Sequence, residues 1–283
     1  MKDYAYYNGV FTPYDSACIP LSDRSIFFSD AVYDVIIGSG KNVYQLDAHL
    51  DRLYRNAERI GLENPPDKSE IRDIVDTIIL EAQADEFLLY VQLSTSNERR
   101  RHERCENDAN VLITVTECKL PTELGMISAI TLPDIRHGLC EVKTTNLLPA
   151  VLSVEEAKRR GADIAIFHKS GLVTEGSYAN VCMLKDGTLI THPFDADILP
   201  GITQTNLETA AEMLDIPRIS RPFTVAELYE ADAVMITSTT KLIKLCTSVD
   251  GTEISAKAYD TVDLLFNKLR DDFYKSTNFS EVF

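Results

Sequence analysis

Two Asp-Gly dipeptides, Asp186-Gly187 and Asp250-Gly251, each stand between runs of apolar and β-branched residues. Asp-Gly accepts the left-handed backbone that a two-residue hairpin turn demands, so each pair commits its flanking strands to antiparallel pairing. A doubly wound parallel sheet does not accommodate such pairs. Stretches with an apolar period near 3.6 are interleaved with the strand-like runs: Leu50, Leu53, Tyr54, Ala57 and Ile60; Ile71, Ile74, Val75 and Ile78; Leu207, Ala210, Ala211 and Leu214. Hairpins mixed with amphipathic helices imply an α+β fold. At 283 residues the chain has room for two domains.

The first domain is expected over residues 1–118, with strands at 4–11, 31–37, 87–94 and 110–116. Asp47 is placed to cap a helix that Gly61 ends, and a second helix fits 69–84. A linker over 119–125, containing Pro121, leads into a larger domain at 126–283. There 126–132 reads as a strand, and Ser153 with Glu156 forms a capping-box pair for a helix closed by Gly161. The last dozen or so residues carry little to anchor them. No apolar run approaches the roughly 20 residues of a membrane span, and the amino terminus lacks the apolar core of a secretory signal. Cytoplasmic residence without membrane attachment is the expectation.

Six cysteines and five histidines show no short paired spacing of the kind that holds zinc, so no metal is expected. A net charge of −16 repels a polyanion, which argues against nucleic acid as a partner. Against that background, Glu98-Arg99-Arg100-Arg101-His102-Glu103-Arg104 is an island of five basic or potentially basic side chains in seven. Such an island is either solvated loop surface or a trap for a carboxylate, whose geometry a guanidinium matches bidentately.

Three more residues have the chemistry of a pyridoxal 5'-phosphate site. Lysine is the side chain that forms a Schiff base with an aldehyde, and Lys143 stands between apolar residues. Glu175, followed by Gly176, is the candidate to keep the pyridine nitrogen protonated, which turns the ring into an electron sink. Pro200-Gly201-Ile202-Thr203 opens the helix at Leu207, and the unpaired N–H groups of a first turn suit a phosphate. Each alone has an ordinary reading, as a surface lysine, a turn and a loop glycine.

Their joint occurrence belongs to a wider pattern. Seven blocks carry it in order: Asp30-Ala31-Val32-Tyr33-Asp34, His49-Leu50-Asp51-Arg52-Leu53-Tyr54, Arg100-Arg101-His102, Lys143 to Leu148, Thr174-Glu175-Gly176, Leu199-Pro200-Gly201-Ile202-Thr203 and Thr237-Ser238-Thr239-Thr240. On these blocks the chain resembles the fold-type IV pyridoxal-phosphate enzymes and, within them, the D-amino acid aminotransferases, from about Tyr4 to about Phe266. The resemblance implies a small N-terminal α/β domain and a larger α+β domain, with the cofactor in the cleft between them. It implies Lys143 as Schiff base and proton shuttle and Glu175 at the pyridine nitrogen. Arg52, Gly201, Ile202, Thr203, Ser238 and Thr239 would surround the phosphate, with Leu199 under the ring. Tyr33, Arg100 and His102 would hold the substrate's α-carboxylate, with Arg101 facing away.

The activity implied is transfer between a D-amino acid of the D-alanine, D-glutamate or D-aspartate type and a 2-oxo acid. The assembly implied is a homodimer in which Arg100 and His102 reach the partner's active site. A branched-chain L-amino acid aminotransferase and an aminodeoxychorismate lyase are the alternatives of the same fold. The chain departs from the family pattern at Ser29 and Ala31, where glycines are usual, and at Pro149.

Overall fold

The computed structural model describes residues 3–104 and 108–277. The chain divides into two units, Met1–Leu120 with Val142–Asn146 and Phe273–Phe283, and Pro121–Glu141 with Leu147–Asp272. Lys143, expected with the second domain, therefore belongs to the first unit. Backbone hydrogen bonds explain the excursion: Tyr33 N donates to the Lys143 carbonyl at 2.9 Å and Thr145 N to the Ala31 carbonyl at 3.2 Å. The segment thus pairs with strand residues more than a hundred positions earlier, through a bridge between Val32 and Thr144.

The first unit contains β1 (Tyr4–Tyr7), β2 (Val10–Pro13), α1 (Arg24–Phe28), β3 (Ala31–Ser39), β4 (Asn42–Val43), α2 (Leu46–Arg59), α3 (Lys68–Ala82), β5 (Glu86–Ser94) and β6 (Asn110–Glu117). Its strands run in the order β2-β1-β6-β5-β3-β4, with each neighbouring pair antiparallel. The single strand expected over 4–11 is instead a hairpin. Asn8 and Gly9 take φ of +42° and +91° and turn the chain back on itself.

Asp47 is not the cap of α2. Gln45 holds that position in the left-handed region, and Asp47 lies in the first turn, where its charge suits the helix dipole and pairs with Arg72. α3 is closed at its start by a reciprocal capping box between Asp67 and Glu70. Leu50, Leu53 and Ala57 of α2 and Ile71, Val75 and Ile78 of α3 form one core with Val32, Ile36, Leu89, Val91, Ile113 and Val115 of the sheet. Each of the Val, Leu and Ile side chains stabilises the unit by about 1.5–3 kcal/mol on burial.

The second unit comprises β7 (Gly125–Pro133), α4 (Leu148–Arg159), β8 (Ile164–Lys169), β9 (Leu172–Gly176), β10 (Asn180–Lys185), β11 (Thr188–Thr191), α5 (Ile202–Met213), β12 (Arg218–Ser220), α6 (Val225–Tyr229), β13 (Ala233–Ser238), β14 (Leu242–Val249), β15 (Thr252–Glu253) and most of α7 (Tyr259–Ser276). The strand order is β12-β11-β10-β13-β14-β7-β8-β9, with β15 on β14. Hairpin pairs are antiparallel, while β7 runs parallel to β8 and β14. Asp186 and Gly187, at φ +49° and +73°, turn β10 into β11, and Asp250 and Gly251, at +50° and +76°, turn β14 into β15.

The capping box expected at Ser153 and Glu156 lies inside α4. The helix starts five residues earlier at Leu148, and the Ser153 hydroxyl donates to the Pro149 carbonyl at 2.7 Å. Pro149 stands in the first helical turn, where its missing N–H has no helical partner to lose. No helix among the described residues is long and apolar enough to cross a membrane.

Candidate active site

In the first unit, half-buried Lys143 lies beside Tyr33, its Nζ 4.5 Å from the centroid of the phenol ring. Tyr33 stacks in turn on Tyr90 at 5.2 Å, and the Tyr90 hydroxyl donates to Gln92 Oε1 at 2.6 Å. Alternation along β3 sends Asp34 to the opposite face from Tyr33. There Arg52 Nε and Nη2 donate to its two oxygens at 2.8 Å each, and His49 Nδ1 lies 2.8 Å from Oδ1.

Burial alone would raise the Asp34 carboxyl, but the charge of Arg52 and the bonds from His49 and Arg52 outweigh it and hold it well below the usual carboxylate range. Burial pushes His49 down, with Asp34 opposing. Arg52 is only 4% exposed, so it is no surface ion pair; a bidentate carboxylate fixes the plane of its guanidinium.

The basic island resolves into spent and unspent side chains. Arg101 Nε donates to Glu98 Oε2 at 3.1 Å, and Arg104 binds Asp30 and the carbonyls of Ile60 and Gly61. Arg100 and His102 instead meet at one ring, 5.3 and 5.5 Å from the centroid of Phe28. Neither side chain makes a hydrogen bond or ion pair among the described residues.

In the second unit, Glu175 is the penultimate residue of β9 and is 6% exposed. Its Oε2 accepts from Asn180 Nδ2 and Leu199 N, both at 3.1 Å, and its Oε1 meets Arg136. Arg136 lies on both oxygens of Asp134, at 3.0 and 2.6 Å, and donates to the Asp197 carbonyl at 2.9 Å. Burial would raise the Asp134 carboxyl, and the Arg136 bonds and charge lower it.

Asn180 also donates to the Leu199 carbonyl at 2.9 Å, and its Oδ1 presses so close to Gly201 that a Cβ there would lie 1.9 Å away. Only glycine fits. Gly201 is the N-cap of α5 and offers no side chain to the first turn, so the N–H groups at Ile202 and Thr203 have no capping side chain. Asn180 also pairs in register with Thr237, which brings the end of β13 to the same place. Thr237 Oγ1 is buried without a partner, and the hydroxyls of Ser238 and Thr239 make no hydrogen bond among the described residues. Unspent hydroxyls beside an uncapped helix start fit a phosphate ester.

Every residue expected at the site is described, in four groups: Lys143 and Tyr33; Arg52, on Asp34; Arg100 and His102; Glu175, Leu199, Gly201, Ile202, Thr203, Ser238 and Thr239. Sequence reasoning assigned no role to Asp34 and His49, although both stand inside the quoted blocks. The signal was there, because His49 and Arg52 are three apart on one helix and share a face. Arg136, Asp134 and Asn180 gave no comparable sign.

A primary amine in the first unit and, in the second, a buried carboxylate with three donors and a helix start without a side-chain cap are each of a kind that pyridoxal-phosphate chemistry uses. The chain matches the family described as Amino-transferase class IV over residues 31–249 and belongs to that family. It is a pyridoxal-phosphate-dependent aminotransferase. The D-alanine aminotransferase of Listeria monocytogenes is 32% identical over 247 residues, covering 85% of this chain and 86% of its own. That of Staphylococcus epidermidis is 32% identical over 261 residues, covering 91% and 93%. The solved branched-chain amino acid aminotransferase of Escherichia coli superposes with a TM-score of 0.86 over 100% of this chain and 97% of that one. At 22% identity this last likeness is one of fold.

Proposed function

We propose that the protein transfers the amino group of a D-amino acid, D-alanine foremost, to a 2-oxo acid. The observation that carries this reading is the pair Arg100 and His102, presented on Phe28 with no hydrogen bond or ion pair among the described residues, in a chain related to D-alanine aminotransferases. Bound pyridoxal phosphate supplies an electron sink that acidifies the substrate's Cα–H. The Lys143 amine attaches the cofactor and moves that proton. Glu175 keeps the ring nitrogen protonated and is itself aligned by Arg136, Asn180 and Leu199 N.

Arg52, the first-turn N–H groups at Ile202 and Thr203, and the hydroxyls of Ser238 and Thr239 bind the phosphate. Gly201 leaves room for it, and Leu199 offers apolar surface to the ring. Tyr33, Arg100 and His102 hold the α-carboxylate. With the labile hydrogen directed at Lys143, the place of the carboxylate decides which enantiomer is accepted. A cytoplasmic homodimer, in which Arg100 and His102 serve the partner's site, completes the reading.

An amino-donor screen with both enantiomers, using 2-oxoglutarate and pyruvate as acceptors, tests it. D-alanine should be accepted in preference to L-leucine and L-valine. Arg100→Ala should lower kcat/KM for D-alanine by about 10- to 100-fold, the worth of a charge-assisted bidentate contact, while visible cofactor absorption is retained. Arg101→Ala should do much less. Preference for L-leucine or L-valine would replace this reading with the branched-chain one.

A further inference from the structure

Arg24 is a buried arginine with no part in the chemistry described so far. It opens the short helix α1 and is 4% exposed. Its Nε donates to Asp30 Oδ2 at 2.8 Å. Its Nη1 donates to the carbonyls of Arg101 and Glu103 at 2.7 and 3.3 Å, and its Nη2 to the carbonyl of His102 at 3.2 Å. One guanidinium therefore ties down three consecutive carbonyls of an irregular segment. The same group lies 4.6 Å from the centroid of Phe28, the ring that Arg100 and His102 also flank. Asp30 completes the arrangement, accepting from Arg24, from Arg104 and from the Thr95 hydroxyl at 2.8 Å.

We propose that Arg24 is a positioning residue for substrate capture: by holding the backbone of 101–103 and the Phe28 ring together, it fixes Arg100 and His102 in a shared direction before a carboxylate arrives. The inference rests on the carboxylate reading of Arg100 and His102. Long side chains on an irregular loop lose rotamer freedom when they close on an anion, and a backbone fixed in advance removes part of that loss. The fork of an arginine can serve several carbonyls at once; the point charge of a lysine cannot reproduce that spread. Arg24 touches neither substrate nor cofactor in this scheme. Its effect passes through the two residues it orients, so it belongs to binding and not to the proton transfer.

The test is a mutant cycle on the holoenzyme with Arg24→Met, Arg24→Lys and Arg100→Ala. Arg24→Met should raise KM for D-alanine about tenfold and raise the inhibition constant of propionate, a carboxylate without an amine, by the same factor. Its kcat should stay within about twofold, with visible cofactor absorption unchanged. In the double variant Arg24→Met/Arg100→Ala, KM should rise little beyond that of Arg100→Ala alone, because both changes disable one trap.

Additive effects, or a wild-type KM in Arg24→Met, would overturn the inference while leaving the Arg100 assignment intact. If Arg100→Ala itself leaves KM and propionate inhibition unchanged, the carboxylate reading has failed and the inference falls with it. Should Arg24→Met lose the fold, Arg24→Lys carries the test: raised KM with intact absorption supports positioning, and a wild-type KM overturns it. Early melting or lost cofactor in both variants would make Arg24 a core residue of its unit and overturn the inference as well.

Discussion

At the residue scale, Ser29 shows what a departure from family pattern costs. It ends α1 in the left-handed region at φ +50°, a conformation that glycine adopts without a Cβ penalty. Ser29→Gly should therefore stabilise the protein by about 0.5–1 kcal/mol, less whatever glycine adds to the freedom of the unfolded chain; a lower melting temperature would contradict this. Asp34 offers a prediction in pH. Its folded carboxyl is held below its unfolded value, so its stabilisation is present above about pH 4 and is lost as pH falls through the folded value. Asp34→Asn should be less stable at neutral pH, since it leaves Arg52 and His49 without their buried partner. Its stability should also fall less steeply than wild type between about pH 4 and pH 2, which denaturant titrations across that range would show. Lys143, Glu175 and Gly201 could be singled out as candidates in the sequence because the chemistry expected of them is specific to residue type. Asp34, Arg136 and Arg24 were not, because their roles depend on partners far off in sequence.

At the element scale, the strongest local signals translated directly. Both Asp-Gly pairs are hairpin turns, and the periodic stretches before Gly61 and after Gly201 are helices ended and begun where expected. The failures came where two local signals competed. Asn8-Gly9 divides what hydrophobicity alone reads as one strand, and Pro149 in the first turn lets α4 start ahead of the polar pair at Ser153 and Glu156. Gly187 isolates the backbone component of a hairpin, because a Cβ added there would meet nothing within 4 Å. Gly187→Ala should cost about 1 kcal/mol through the positive φ alone and lower the melting temperature by about 2–4 °C. A neutral result would mean that the β10–β11 turn relaxes freely.

At the scale of the whole molecule, the α+β class was legible from the alternation of hairpins and helices, whereas the return of 142–146 to the first unit was not. Nothing in its composition marks it as a partner of β3; the pairing is a tertiary bridge between Val32 and Thr144. The first unit likewise draws in Phe273, which packs edge-on against Tyr44 at 5.3 Å, and the Thr277 carbonyl, which accepts from Asn42 Nδ2 at 3.0 Å. A fragment of residues 1–120 lacks all of these pieces. It should be markedly less stable than the same residues in the full chain, and a cooperative melt matching the intact protein would refute that.

The lysine's address has a consequence for biosynthesis. A ribosome delivers the strand that will receive Lys143 long before Lys143 itself, and Phe273 of the same unit emerges only after the residues of the other unit. The Tyr33 stretch of β3 lacks its neighbour until 142–146 emerges, and the first unit then waits for Phe273 while most of the other unit is synthesised. The amine that marks the finished enzyme is therefore also a clock: it reaches its seat only after the chain has doubled back across more than a hundred residues.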